Sequence, residues 1–129
     1  MATLENSRLR IVASDDGVVV EDRVRRCAWV WHSGGAEFTR AGGDGPRPAG
    51  RPTVTAAGET VEVRFDAGGG PVRYTWSLGP DYAEVRLACE APDVEAASLP
   101  GPVTAAEGGA RAAVPVYQGL LLRGSAHRW

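Results

Sequence analysis

Residues 72–90 read VRYTWSLGPDYAEVRLACE and decide the fold of this chain. In each half of the segment, apolar residues alternate with polar ones, and a period of two places the apolar set on one face of a β-strand. The apolar sets are Val72, Tyr74, Trp76 and Leu78 in the first half, and Ala83, Val85, Leu87 and Cys89 in the second. Because Gly79, Pro80 and Asp81 form a turn between the halves, the segment predicts an antiparallel hairpin with one buried face.

Two further pairs of segments show the same alternation on either side of a turn. They are residues 8–14 with 18–20, around Asp15-Asp16-Gly17, and residues 53–57 with 60–66, around Gly58-Glu59. Asp and Gly are typical of tight turns because both tolerate backbone angles that other residues avoid. These spacings predict about nine or ten short strands in an all-β fold, a two-sheet antiparallel β-sandwich. No stretch keeps a period of 3.6 over about 12 residues, so little or no helix is expected.

Two stretches without periodicity predict loops. Residues 40–52 concentrate Gly and Pro and indicate a flexible, exposed loop. A loop of that length in a compact domain is either functional or mobile. Residues 91–102 contain three prolines and predict a connecting loop. Phe38 stands just before the first loop, in a segment long enough for one brief strand pairing.

Composition and charge limit the classes of function. The 129 residues fit one domain, residues 1–129, and 43% hydrophobic with 23% charged residues indicates a globular chain. A net charge of −2 provides no general attraction to nucleic acid. No run approaches the roughly 18 apolar residues of a membrane span, and the polar N-terminus does not resemble a signal peptide. We therefore expect a cytoplasmic protein with no membrane contact.

The two cysteines, Cys27 and Cys89, both lie in apolar, strand-like segments. Cysteine is often buried, so the favoured interpretation is two reduced core residues. A disulfide between strands, which would require an oxidising compartment, is the alternative. There is no CxxC motif and there are only two histidines, so neither a metal site nor a cofactor is predicted.

Few polar residues indicate chemistry. His32 ends a predicted strand and precedes Ser33-Gly34-Gly35, a position in which functional groups often lie; an exposed or loop-bonded histidine is the alternative. Four loop carboxylates are candidates for a glycosidase pair, but each stands near Gly or Pro and is fully explained by turn formation. They are Asp15, Asp16, Asp44 and Asp81. With no GxSxG or P-loop motif, no catalytic residue is predicted.

Aromatic side chains are the remaining candidates, since sugars stack their apolar faces on exposed rings. Trp29, Trp31, Tyr74 and Trp76 fall on the predicted inner faces and are expected in the core. Tyr82 and Tyr117 border loops and are candidates for exposure. The predicted ligand-binding residues are therefore His32, Asp81, Tyr82 and Tyr117.

Three segments resemble the N-terminal domains of large glycoside hydrolases, most closely the endo-α-N-acetylgalactosaminidase-like group. They are residues 4–33, with LEN, VVVED and WVWHS at intervals, residues 75–87, TWSLGPDYAEVRL, and residues 112–124, AAVPVYQGLLLRG. In that family the domain is a β-supersandwich, similar to the galactose mutarotase fold, and it packs on a TIM barrel. The barrel carries the nucleophile and the acid/base, so the resemblance assigns no catalytic residue here. The loop at 40–52 has no counterpart in the family.

The resemblance implies a non-catalytic accessory domain that supports a catalytic barrel or binds carbohydrate. A stand-alone module that binds carbohydrate, or that pairs with a protein through an open sheet edge, is the alternative; a small sugar epimerase is a third. If the domain docks on a barrel, an apolar patch is expected near residues 116–122, which would favour self-association.

Overall fold

The computed structural model describes residues 1–98 and, beyond them, the backbone of three short strands within residues 103–123. The described residues form antiparallel β-strands and one turn of 3-10 helix, Ser33–Gly35. The strands are β1 (Ala2–Glu5), β2 (Leu9–Ser14), β3 (Gly17–Asp22), β4 (Cys27–His32), β5 (Glu37–Arg40), β6 (Arg47–Pro48), β7 (Thr53–Ala57), β8 (Thr60–Asp66), β9 (Pro71–Leu78), β10 (Ala83–Cys89), β11 (Val94–Ala97), β12 (Val103–Ala105), β13 (Arg111–Val114) and β14 (Leu120–Arg123). The predicted all-β class is confirmed.

Two large sheets and two small ones contain these strands. The large sheets have the orders β1-β2-β3-β4-β12 and β10-β9-β8-β7, and the small ones β11-β5-β6 and β13-β14. All three predicted hairpins are present as antiparallel pairs, β2 with β3, β7 with β8, and β9 with β10. Each turn lies where Gly, Asp or Pro interrupts the alternation, which is why local sequence predicted them.

The core lies between the apolar faces of the two large sheets. Ile11 in the first sheet and Val61 and Val72 in the second are all 0% exposed. Trp31 on β4 and Trp76 on β9 meet edge to face, with ring centroids 4.9 Å apart. Burying these side chains is the main favourable term in folding, and the arrangement confirms the two-sheet sandwich.

The small β11-β5-β6 sheet closes one end of this core. Phe38 on β5 is 3% exposed and packs edge to face on Phe65 of β8, with centroids 5.7 Å apart. The brief pairing segment predicted at Phe38 is confirmed as β5. Tyr74 adds a second edge contact to Phe65, at 5.9 Å.

One half of the central hairpin departs from the predicted burial. Val72, Tyr74 and Trp76 are buried as expected, but Leu87 is 39% exposed and Cys89 is also exposed. Both lie on β10, the outermost strand of its sheet. The burial predicted for these two residues is wrong. Alternation in the sequence indicates which side chains lie on the same face of a strand, but not whether another layer covers that part of the face.

Two strands were missed because they are short, and one of them also pairs with a partner that is distant in sequence. β1 precedes the first predicted hairpin and pairs with β2. β11 lies within residues 91–102, which were predicted to be only a connecting loop, and it pairs with β5. Their four-residue lengths give periodicity little to detect. Ser98 then fixes the end of β11, because its N–H donates to the Glu37 carbonyl at 3.0 Å and its Oγ accepts from the Glu37 N–H at 2.9 Å.

The loop predicted at 40–52 is largely exposed and includes the short strand β6, in which Arg47 pairs with Phe38. Both cysteines are free, as expected, but neither is a core residue. Cys27 is half-buried at the start of β4 and Cys89 is exposed at the end of β10, where strands leave the sandwich. No helix among the described residues has the length and apolar character needed to span a membrane.

Candidate binding groove

The turn between β2 and β3 forms the first wall of a groove. Ser14 and Gly17 pair directly, so Asp15 and Asp16 form a two-residue connection. A Cβ atom at Gly17 would lie 2.1 Å from the carbonyl oxygen of Trp31. Only glycine therefore allows this turn to lie so close to β4, and the approach brings both carboxylates beside the end of that strand.

The end of β4 forms the floor. His32 is the last residue of the strand and is exposed, and it pairs with Gly17 across the sheet. The next residue, Ser33, is 7% exposed, and its N–H donates to the Asp16 carbonyl at 2.9 Å. The chain then leaves through the 3-10 turn, where Ala36 N–H donates to the Ser33 carbonyl at 3.1 Å. This turn ends the strand at His32 and presents the imidazole at one end of the sandwich.

The return of the exposed loop forms the opposite wall. Ala49 N–H donates to the Ala36 carbonyl at 2.8 Å, which fastens the loop to the segment after the 3-10 turn. Arg51 crosses to the first wall, where its Nε–H donates to Asp15 Oδ2 at 2.7 Å. A second guanidinium nitrogen contacts the same oxygen. This charge-assisted fork links the two walls.

The groove between these walls has a volume of about 590 Å³, which falls within the range of small-molecule sites. Its lining combines two carboxylates, an imidazole, a guanidinium, a hydroxyl and proline rings. The residues are Asp15, Asp16, His32, Ser33, Gly34, Pro48, Gly50, Arg51 and Pro52. The Asp15 carboxylate forms an ion pair with Arg51, whereas the Asp16 carboxylate forms no ion pair within the described part of the chain. Asp16 is thus the acceptor that the groove offers to a ligand.

Asp81 and Tyr82 lie at the other end of the molecule. The loop that holds them is fixed by Asn6, whose Nδ2 donates to the Gly79 carbonyl at 2.8 Å. The Asn6 carboxamide oxygen accepts from the N–H groups of Arg8 and Leu9, at the start of β2. β2 ends beside the groove, and its five residue steps span about 17 Å. The predicted residues therefore belong to two separate places.

Tyr82 is exposed, as predicted. Its side chain is 55% exposed, and its ring lies over the backbone of Gly79, where a Cβ atom would come within 2.3 Å of it. Asp81 beside it is also exposed. Tyr117 lies outside the described residues.

Sequence reasoning identified His32 but missed Arg51. Arg51 stands between Gly50 and Pro52, a pattern that predicts only a loop. Folding brings this arginine to Asp15, which is 36 residues away in the sequence. Asp44, also in the loop, is 91% exposed. Within the described residues its ion pair is with Arg47, where a guanidinium nitrogen lies 3.6 Å from a carboxylate oxygen. Among the described residues, no group of three or more His, Cys, Asp or Glu side chains could hold a metal ion.

Comparisons with family models, with curated proteins and with solved structures each returned no match to this chain. The resemblance to the N-terminal domains of glycoside hydrolases therefore rests on the sequence motifs alone.

Proposed function

We propose that the protein is a non-catalytic β-sandwich module that binds carbohydrate in the groove at the Asp15–His32–Arg51 end, as an accessory domain of a glycoside hydrolase. The observation that carries the proposal is the groove itself, which combines His32 with the Gly- and Pro-rich loop predicted to be either functional or mobile. The motif resemblance is the reason to propose a catalytic barrel as the neighbour of such a module.

The chemistry of the lining suits a hydroxylated ligand. Sugar hydroxyls both donate and accept hydrogen bonds, and they match an available carboxylate at Asp16 and an exposed imidazole at His32. Hydrogen bonds to a charged group are roughly twice as strong as neutral ones, so Asp16 would contribute most. The rings of Pro48 and Pro52 offer apolar surface to the C–H faces of a sugar.

The same lining supports binding rather than hydrolysis. A glycosidase needs two carboxyl groups that flank the scissile bond from opposite sides. Asp15 and Asp16 are neighbours on one turn, and Asp15 is held by Arg51. The two carboxylates therefore stand on one wall of the groove, where both contact the same side of a ligand.

Titration of the full chain with galactose, N-acetylgalactosamine and short oligosaccharides tests the proposal. We expect saturable heat of binding, and a change in tryptophan fluorescence because Trp31 directly precedes His32. Asp16→Asn and His32→Ala should each weaken binding about tenfold, since each removes a hydrogen bond to the ligand.

Asp81→Asn is the matched control, because it changes another exposed aspartate at the opposite end of the molecule. It should leave the affinity unchanged. The proposal is wrong if no sugar in the panel binds, or if Asp81→Asn weakens binding as much as Asp16→Asn does.

A further inference from the structure

Strand β10 presents an apolar edge with which no other strand in the described part of the chain pairs. It is the outermost strand of the four-stranded sheet, and its alternate residues Ala83, Val85, Leu87 and Cys89 share the inner face. Directly across the sheet, Tyr74 opposite Leu87 and Val72 opposite Cys89 are 1% and 0% exposed. Leu87 is nevertheless 39% exposed. The apolar face thus continues past its covering layer onto this strand.

The backbone of β10 is available for another strand. Tyr82 accepts from Gly79 N–H at 2.8 Å, and Glu90 N–H donates to the Pro71 carbonyl at 2.9 Å, so both residues bond towards β9. The backbone N–H and C=O groups of successive residues point to opposite sides of a strand, so those of Glu84, Arg86 and Ala88 also point towards β9. The N–H and C=O groups of Ala83, Val85, Leu87 and Cys89 therefore point away from the sheet. Among the described residues, no backbone hydrogen bond engages them.

The usual protections of a sheet edge are absent from β10. Natural edge strands carry proline, bulges or inward-pointing charges that prevent pairing with another chain. The register of β10 on β9 runs without a bulge over all seven residues, and the strand contains no proline. Its two charged residues, Glu84 and Arg86, both lie on the outer face.

We propose that two copies of this chain pair through β10, antiparallel and about a two-fold axis at Val85. This register joins the two four-stranded sheets into one continuous sheet. It bonds Val85 to its own copy and Ala83 to Leu87 of the second copy, so every outward backbone group of these residues finds a partner. Leu87 then shares the inner face with Ala83 of the other copy. The inference is independent of the proposed carbohydrate groove.

Charge selects this register among those that the backbone allows. A two-fold axis at Val85 sets Glu84 directly opposite Arg86 of the second copy, twice, in pairs where side chains lie closest. An axis at Glu84 would oppose two glutamates, and an axis at Arg86 would oppose two arginines. An axis at Leu87 would set Glu84 opposite Glu90. An axis at Ala88 would set Arg86 opposite Glu90, but it overlaps only residues 87–89 of the strand, and Glu90 is already paired with Arg73. The Val85 axis is the register that combines complementary charges with overlap of residues 83–87, and Glu84 and Arg86 already interact within one strand.

Charge reversal in the full chain tests this register by light scattering and sedimentation. We expect a dimer in the wild-type protein. Arg86→Glu and Glu84→Arg should each weaken the dimer about tenfold or more, because each turns two attractive pairs into repulsive ones. The double variant Glu84→Arg/Arg86→Glu restores opposite charges across the axis, so its dissociation constant should return to within about threefold of the wild type.

Arg64→Glu is the control for net charge, because Arg64 is exposed on β8, an interior strand of the same sheet. It should leave the dimer intact. The proposal is overturned if the wild-type chain is a monomer at about 100 μM, since a specific dimer formed through β10 should still be present at that concentration. It is also overturned by a dimer that Arg86→Glu does not weaken, which would indicate association through another surface such as residues 116–122, or by a double variant that fails to recover.

Discussion

At the scale of single residues, the aromatic side chains determine stability. Trp76 is 2% exposed and meets Trp31 edge to face across the two large sheets. Edge-to-face pairs contribute beyond the area that they bury, because the positive ring edge meets the negative ring face. Trp76 thus joins the sheets at one point where both contribute a large ring.

Replacing this ring should show how much the contact stabilises the fold. Trp76→Ala should lower the free energy of unfolding by about 3–5 kcal/mol, the range for truncating a buried aromatic residue. Urea unfolding followed by circular dichroism measures it. Tyr82→Ala is the control, since that ring is 55% exposed and should cost less than about 1 kcal/mol. A loss below about 1 kcal/mol for Trp76→Ala would contradict the burial of this ring.

Residue alternation predicted the buried face of β9 correctly at Val72, Tyr74 and Trp76, because the opposing sheet covers this part of the strand. The same alternation failed for Leu87, for which the covering layer stops short. Whether a face is covered depends on the position of other strands, and this information is not contained in local sequence. The departure is also the observation from which pairing through β10 is proposed.

At the scale of elements, the connection from β3 to β4 is stabilised by one buried carboxylate. Asp22, 4% exposed, accepts from the N–H groups of Arg25 and Val24, each at 3.0 Å. It also pairs with the guanidinium groups of Arg25 and Arg8. The backbone hydrogen bond from Arg25 contributes most to lowering the pKa of Asp22, and burial opposes the shift without cancelling it.

A lowered pKa makes this carboxylate a source of stability that acid removes. The folded state binds its proton more weakly than the unfolded chain, so the contribution is present above the unfolded pKa of about 3.9 and is lost as the pH falls through the lowered value. Asp22→Asn should therefore reduce stability at pH 7, and the difference from the wild type should shrink below about pH 4. Urea unfolding at several pH values measures it.

Asp44→Asn serves as the matched control, because Asp44 is 91% exposed and has only a long ion pair to Arg47 in the described residues. Its stability should follow the wild type at every pH. A difference between Asp22→Asn and the wild type that is constant down to pH 2 would show that the carboxylate charge is not what stabilises the turn.

Hairpins were predictable and the groove was not, for one physical reason. A hairpin is specified by neighbouring residues: alternation on two arms and a turn such as Asp15-Asp16-Gly17 between them. The groove depends on three segments that are distant in sequence, and Arg51 lies beside Asp15 in a loop that the pairing of β5 with β6 helps to position. Sequence indicated that His32 and the loop were candidates, but not that they face each other.

At the scale of the whole molecule, different residues hold the two ends of the sandwich. Gly17 allows the turn at the groove to lie against β4, and Asn6 fixes the opposite end by three hydrogen bonds. The length of β2, about 17 Å, separates them. Effects of substitutions more than about 7–10 Å apart with no shared partners usually add.

A double-mutant cycle tests whether the two ends are independent. Gly17→Ala should cost about 1–3 kcal/mol, because its Cβ would overlap the Trp31 carbonyl. Asn6→Ala should cost about 1–2 kcal/mol, because two partly buried N–H groups lose their acceptor. The double variant should lose the sum within about 0.5 kcal/mol by urea unfolding. A coupling energy above about 1 kcal/mol would mean that strain at the groove is transmitted along β2 to the loop of Asp81 and Tyr82. In that case the two ends would be one cooperative site, and Asp81→Asn would no longer be a neutral control for ligand binding in the groove.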